Sequence, residues 1–261
     1  MLLLFALIAC EDVIDLDLDE EEGKLVIEGK IYSDNRPIYV KLSQSTNIYD
    51  PQPFPAIEDA QLLLETSDGQ STNLEYLQDG IYETKSIDIK SGINYTLKVE
   101  WQGEEYEATT YMPFPSGIDS TVLFLEEGSS FVDDGYYGFF YGQEGSEDEN
   151  YHILRYYKKG FAGLDTLDQD YFLGQQFYAN GQVQLPMYVF QLKEGDIGLL
   201  EYMAVDEQVF EYLTTLEDIA GFSGGGPFDP VPQNPSSNFS NGALGYFGAF
   251  AITYDTLPGP Q

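Results

Sequence analysis

The chain has 261 residues, with 45 acidic against 11 basic side chains and a formal net charge of −34 at pH 7. So negative a surface repels phosphate backbones and anionic lipid headgroups, which excludes nucleic acid as a partner. Hydrophobic residues at 43% and aromatics at 15% are too many for a disordered acidic chain, and with a single cysteine its folded body must be stabilised by burial without internal disulfides.

Residues 1–9, Met-Leu-Leu-Leu-Phe-Ala-Leu-Ile-Ala, are apolar throughout and end in a small residue, as the core and cleavage site of an export signal do. They are too few to span a bilayer, which takes about 20 residues. Leu7-Ile8-Ala9-Cys10 resembles the bacterial lipobox, which implies that Cys10 carries a diacylglycerol and holds the mature chain to a membrane through its N-terminal lipid. The alternative is a free thiol behind an ordinary signal peptide. Residues 10–22 then read as an acidic tether, in which Val13, Ile14, Leu16 and Leu18 are interspersed with Asp15, Asp17 and Asp19.

From residue 23 the period becomes two. Strands are expected at 25–32, 38–42, 60–65, 74–77, 80–84, 95–101 and 106–111, separated by Asp68-Gly69, Asp79-Gly80, Ser91-Gly92 and Gln102-Gly103. This density of short strands and turns predicts an immunoglobulin-like or transthyretin-like β-sandwich over 23–112, without the Cys-Trp-Cys core of antibody domains. Trp101 is a core or edge aromatic, with a carbohydrate-stacking platform as the alternative. Pro113, Pro115 and Gly117 make 113–117 a stiff linker.

Residues 118–261 are expected to form a second antiparallel β domain with one packed helix, so that the whole chain is all-β. Strands are predicted at 118–126, 150–158, 171–178, 186–192 and 197–204, with Asn180-Gly181 and Glu194-Gly195-Asp196 as turns. The segment 131–141 is dense in aromatics and glycines. Tyr136, Tyr137, Phe139, Phe140 and Tyr141 are either a contact surface of adaptable aromatics or a core and edge strand. A helix is predicted over 205–219, where Asp206 can cap and Val209, Tyr212, Leu213 and Leu216 form an apolar stripe. A long Gly/Pro-rich loop then feeds a closing strand whose small residues suggest close backbone approach.

Chemical candidates are sparse. His152 is the only histidine and lies in an alternating strand, so any Ser-His arrangement would have to use it; a strand histidine with an ordinary partner is the simpler reading. Pairs of carboxylates can always be drawn from 45 acids and so discriminate nothing. No cofactor is expected, with Ca²⁺ as the one ionic candidate: Asp133, Asp134, Asp165, Asp168 and Asp170 supply hard oxygens, though without EF-hand spacing, and a solvated charged loop is the plainer reading. Ser120, Thr166 and Thr256 each follow an aspartate in triplets resembling the acceptor of Bacteroidota O-glycosylation.

Cys10-Glu11-Asp12-Val13-Ile14-Asp15-Leu16, Lys24-Leu25-Val26-Ile27-Glu28-Gly29, Pro53-Phe54-Pro55, Met112-Pro113, Tyr212-Leu213, Gly226-Pro227-Phe228 and the closing block at 241–249 together resemble a large Bacteroidota family of surface lipoproteins, the domain of unknown function DUF4249. The resemblance implies a lipid anchor at Cys10, an outer-membrane position facing out of the cell, and a TonB-dependent receptor or other outer-membrane complex as partner. It carries over no catalytic residue. The expected function is accessory or binding partner of such a receptor, in ligand uptake or complex assembly. Two alternatives stand: a surface hydrolase acting on glycan or peptide, and a subunit of an outer-membrane assembly or secretion machine.

Overall fold

The structure is a computed structural model and describes residues 23–46, 54–145, 151–160, 170–220 and 234–261. Its N-terminal half contains β1 (Leu25–Tyr32), β2 (Ile38–Gln44), β3 (Gln61–Thr66), β4 (Ser71–Gln78), β5 (Ile81–Thr84), β6 (Ile93–Trp101) and β7 (Glu104–Met112). Alternation places Leu25, Ile27 and Ile31 of β1, Val40 and Leu42 of β2, Leu64 of β3 and Tyr95, Leu97 and Val99 of β6 in one core. The β6–β7 hairpin turns on Gln102 and Gly103, at φ of 51° and 80°; positive φ at both central residues matches the turn to the right-handed twist of its strands.

The C-terminal half contains β8 (Ile118–Glu126), β9 (Gly135–Gln143), β10 (Tyr151–Lys158), β11 (Asp170–Leu173), β12 (Gln182–Met187), β13 (Ile197–Val205), helix α1 (Glu207–Ala220) and β14 (Leu244–Pro258). Two strands depart from the expected bounds. The one predicted at 171–178 stops at Leu173 and passes into a 3-10 turn at Gln175–Phe177, and the one predicted at 186–192 is shifted back to Gln182–Met187. The tight turn at Asn180-Gly181 fixes the second, because it starts the strand at once and points Val183 and Met187 inward.

An eleven-stranded sheet runs in the order β11-β10-β13-β14-β1-β2-β5-β4-β3-β6-β7, and a three-stranded sheet in the order β12-β9-β8. The sequence divides the chain at 113–117, yet strand pairing crosses that point through β14. Leu244 to Phe250 pair parallel with β1, and Ala251 to Pro258 pair antiparallel with β13. The parallel pairing is a feature that the antiparallel reading of 118–261 did not contain. It depends on Gly245, whose φ is +92° and where a Cβ would lie 2.1 Å from the Ile27 carbonyl oxygen. The large sheet also curls, so that β7 returns to β14 and Thr110 Oγ1 accepts the Ala249 N–H at 3.1 Å.

In the C-terminal half, β10, β13 and β14 are covered on one face by the small sheet, with Phe140, Leu154, Tyr156, Val183 and Tyr202 between them. On the other face α1 packs Val209 and Leu213 against Ile153, Met203, Tyr246 and Phe250. Asp206 starts the helix: its Oδ1 accepts the Val209 N–H at 2.9 Å, while Oδ2 accepts from Thr110 and from the Tyr111 N–H. Among the described residues no helix is long and apolar enough to cross a membrane.

Candidate functional site

The small sheet separates the five aromatics of the glycine-rich segment. Phe140 points inward and is fully buried against Tyr202, which corrects its assignment to a contact surface. Gly138 and Gly142 lie on the same inner face, where a Cβ would collide with Met187 and Phe140 side chains respectively. Tyr137, Phe139 and Tyr141 point outward. They join Phe124 of β8 and Tyr188 just after β12 in a run of ring contacts: Phe124–Phe139 at 6.0 Å, Phe124–Tyr188 at 5.8 Å, Tyr137–Tyr188 at 5.2 Å and Phe139–Tyr141 at 4.9 Å. Tyr137 is buried under its neighbours; Val122, Tyr136 and Tyr188 are exposed, and Phe124, Phe139 and Tyr141 are half-buried.

The same sheet has an open edge. Among the described residues, the backbone of 120–126 hydrogen-bonds only to β9. The other edges are capped, interrupted or short. On β7, Asn241 Nδ2 donates to the Glu105 carbonyl, Ser240 Oγ accepts the Glu107 N–H and Asp206 accepts the Tyr111 N–H. β12 carries Pro186, and β11 has four residues. β8 has nine, with neither proline nor lysine, and so offers a free ladder beside the aromatic face.

His152 and Ser116 form a second cluster, on the buried side. Ser116 Oγ is 2.7 Å from His152 Nε2, Tyr178 Oη is 2.5 Å from Nδ1, Tyr178 Oη is 3.0 Å from Tyr202 Oη, and Tyr202 donates to the Gln143 carbonyl at 2.9 Å. The last bond fixes the direction of the next two: since the Tyr202 proton goes to Gln143, Tyr178 must donate to Tyr202 and His152 Nδ1–H to Tyr178. Burial pushes the His152 pKa down to about 3, so the imidazole is neutral and its Nε2 accepts from Ser116. A serine within reach of a histidine has the spacing of a nucleophile and its base, but the third member is a phenol, and Ser116 and His152 are 4% and 1% exposed. The cluster fastens 113–117 into the C-terminal core.

A third cluster gathers the only two arginines, which the sequence reading passed over although their rarity beside 45 acids was a usable signal. Arg155 faces Asp170 on one neighbouring strand and Glu201 on the other, and Glu201 faces Tyr254, so the four make one row across the sheet. Arg155 holds Asp170 with two bonds of 2.7 and 2.8 Å and lies 3.9 Å from Glu201. From the β1–β2 turn, Arg36 binds Asp34 at 2.6 Å, reaches to 4.0 Å from Glu201 and stacks 4.1 Å above the Tyr32 ring, while Tyr254 donates to Asp34. Burial alone would lower both guanidinium pKa values, but the surrounding carboxylates hold them above the ordinary value. Its charges are mutually engaged, and the row clasps the β1–β2 turn to the C-terminal half.

Asp170 is thus committed to Arg155, which corrects its place among the calcium ligands. Asp134 accepts the Gly128 N–H of its own loop at 2.8 Å, and no group of three candidate metal ligands occurs among the described residues. Ser120 and Thr256 are exposed, and Trp101 is half-buried with its indole N–H on Asp59. Cys10, Asp165, Thr166 and Asp168 lie outside the described residues.

A family model described as a domain of unknown function, DUF4249, matches residues 11–256. No curated protein matches the chain. Among solved structures, the chicken interferon gamma receptor alpha chain is similar at 8% identity over 71% of this chain and 89% of that one; its TM-score of 0.21 is too low to carry an argument.

Proposed function

The chain belongs to the DUF4249 family, and from that premise we propose that it is an outer-membrane lipoprotein of Bacteroidota, anchored through Cys10 and facing out of the cell, that acts as accessory or binding partner of a TonB-dependent receptor. The observation that carries this reading is the outer side of the small sheet. There Val122 and Tyr188 are exposed and Phe124, Phe139 and Tyr141 half-buried, beside the edge of β8 that no strand pairs among the described residues. Exposed aromatics next to a free strand edge suit a protein partner, which can cover the rings and extend the ladder together. A net charge of −34 supports a protein contact over adsorption to an anionic bilayer.

The test is purification from solubilised outer membranes of the native host. The expected result is a β-barrel receptor that co-purifies with the wild type and is lost from the double variant Val122→Lys, Phe139→Asp. Recovery of the wild-type chain alone, time after time, would overturn the receptor reading, and an unmodified Cys10 thiol by mass spectrometry would overturn the anchor.

A further inference from the structure

We propose that the cleft between the β8–β9 connection and the β12–β13 connection binds a neutral saccharide. It is an open surface cleft of about 660 Å³, lined by Phe131, Asp133, Tyr188, Phe190, Gln191 and Lys193 among others. Its aromatic walls are fixed from behind. Phe190 stacks on the buried Tyr156 at 4.4 Å, and Tyr188 packs edge-on to Tyr137 at 5.2 Å. Tyr137 donates to the Asp133 carbonyl at 2.9 Å, and Gln191 Nε2 donates to the Asp134 carbonyl and to Tyr137 Oη, at 3.3 Å each. At the mouth Phe131 is 96% exposed, an apolar ring with no protein surface to cover it.

The polar groups decide what kind of ligand fits. Lys158 is held by Asp196 at 2.8 Å and the Lys193 ammonium also feels that carboxylate, whereas the Asp133 carboxylate has no ion pair among the described residues. A cationic ligand would meet Lys193 and Lys158. An anion would meet Asp133 in a chain already carrying −34. A hydrocarbon would bury the Asp133 carboxylate without a partner and strip water from Lys193. A pyranose ring avoids all three penalties: its C–H face lies on an aromatic ring, and its hydroxyls donate to Asp133 and accept from Lys193. The lining is mainly polar, with Ser129, Ser130, Lys158 and Gln191 beside the rings, which suits a hydroxyl-rich ligand.

The cleft shares Tyr188 with the receptor-contact face, whereas Phe131 lines the cleft alone and Val122 and Phe139 do not line it. The test is saturation-transfer difference NMR on the full chain with maltotriose, cellotriose, mannotriose and tri-N-acetylchitotriose, each at millimolar concentration, beside choline and acetate. At least one trisaccharide should give transfer, with affinity falling about tenfold in Phe131→Ala and in Tyr188→Ala. Trp101→Ala, at a half-buried aromatic elsewhere, should leave it unchanged, and the urea midpoints of all three variants establish that they are folded. No transfer from any trisaccharide, transfer undiminished in folded Phe131→Ala, or preference for choline or acetate would each overturn the proposal.

Discussion

On one side of β14, in the N-terminal core, Ile27, Leu42, Leu64 and Leu97 are fully buried and meet side chains that carry no charge. On the other side Phe140, Tyr156 and Tyr202 fill the space, together with a neutral histidine and a directed chain of hydroxyls. The first core is held by area removed from water, which pH leaves unchanged. The second adds a requirement that protons sit on particular atoms, so it is more tightly specified and sensitive to acid. One strand runs through both.

Breaking that strand should have the largest effect. Gly245→Val forces a β-branched residue to φ +92° and sets its Cβ against the Ile27 carbonyl, at a cost of about 4 kcal/mol. Urea unfolding followed by fluorescence and by circular dichroism should shift together; two separated transitions would show that the halves fold independently. Next comes Leu97→Ala, which removes a fully buried side chain from the N-terminal core for about 3 kcal/mol, with the same loss at pH 7 and pH 5.

The acid response should belong to the other core. His152 has its folded pKa depressed to about 3, so as pH falls from about 6.5 the unfolded chain takes up the proton first. Its stabilising contribution is complete above about pH 6.5 and falls by at most about 1.4 kcal/mol per pH unit towards pH 3. Between pH 6.5 and 5, where most carboxylates stay ionised, the wild type should lose about 1.6 kcal/mol and His152→Asn should show a flat line. A slope that survives the substitution would move the acid sensitivity elsewhere. The smallest effect is a gain. Tyr156 Oη is buried without a hydrogen-bond partner among the described residues, so Tyr156→Phe should raise stability by about 1 kcal/mol, read as a higher urea midpoint.

Much of the fold could be read locally. The turns at Gln102-Gly103 and Asn180-Gly181, the alternating strands of the N-terminal half and the helix behind Asp206 all arise from preferences within a few neighbouring residues. The contact surface could be read only halfway: the density of aromatics at 136–141 marked the segment, but alternation along β9 sends Phe140 to the core and Phe139 to solvent. The register that makes this division depends on β8 and β12, which lie outside the segment itself.

The sequence by itself determined an acidic, aromatic-rich, all-β chain with one helix, because charge, strand period and turn chemistry are properties of short stretches. Only the tertiary structure decided that β14 would join the two halves, that Arg36 and Arg155 would converge on Glu201, and that β8 would pair with β9 alone among the described strands. Each of these is a pairing between segments distant in the chain, chosen by how well their backbones and charges meet, and no local pattern encodes that choice.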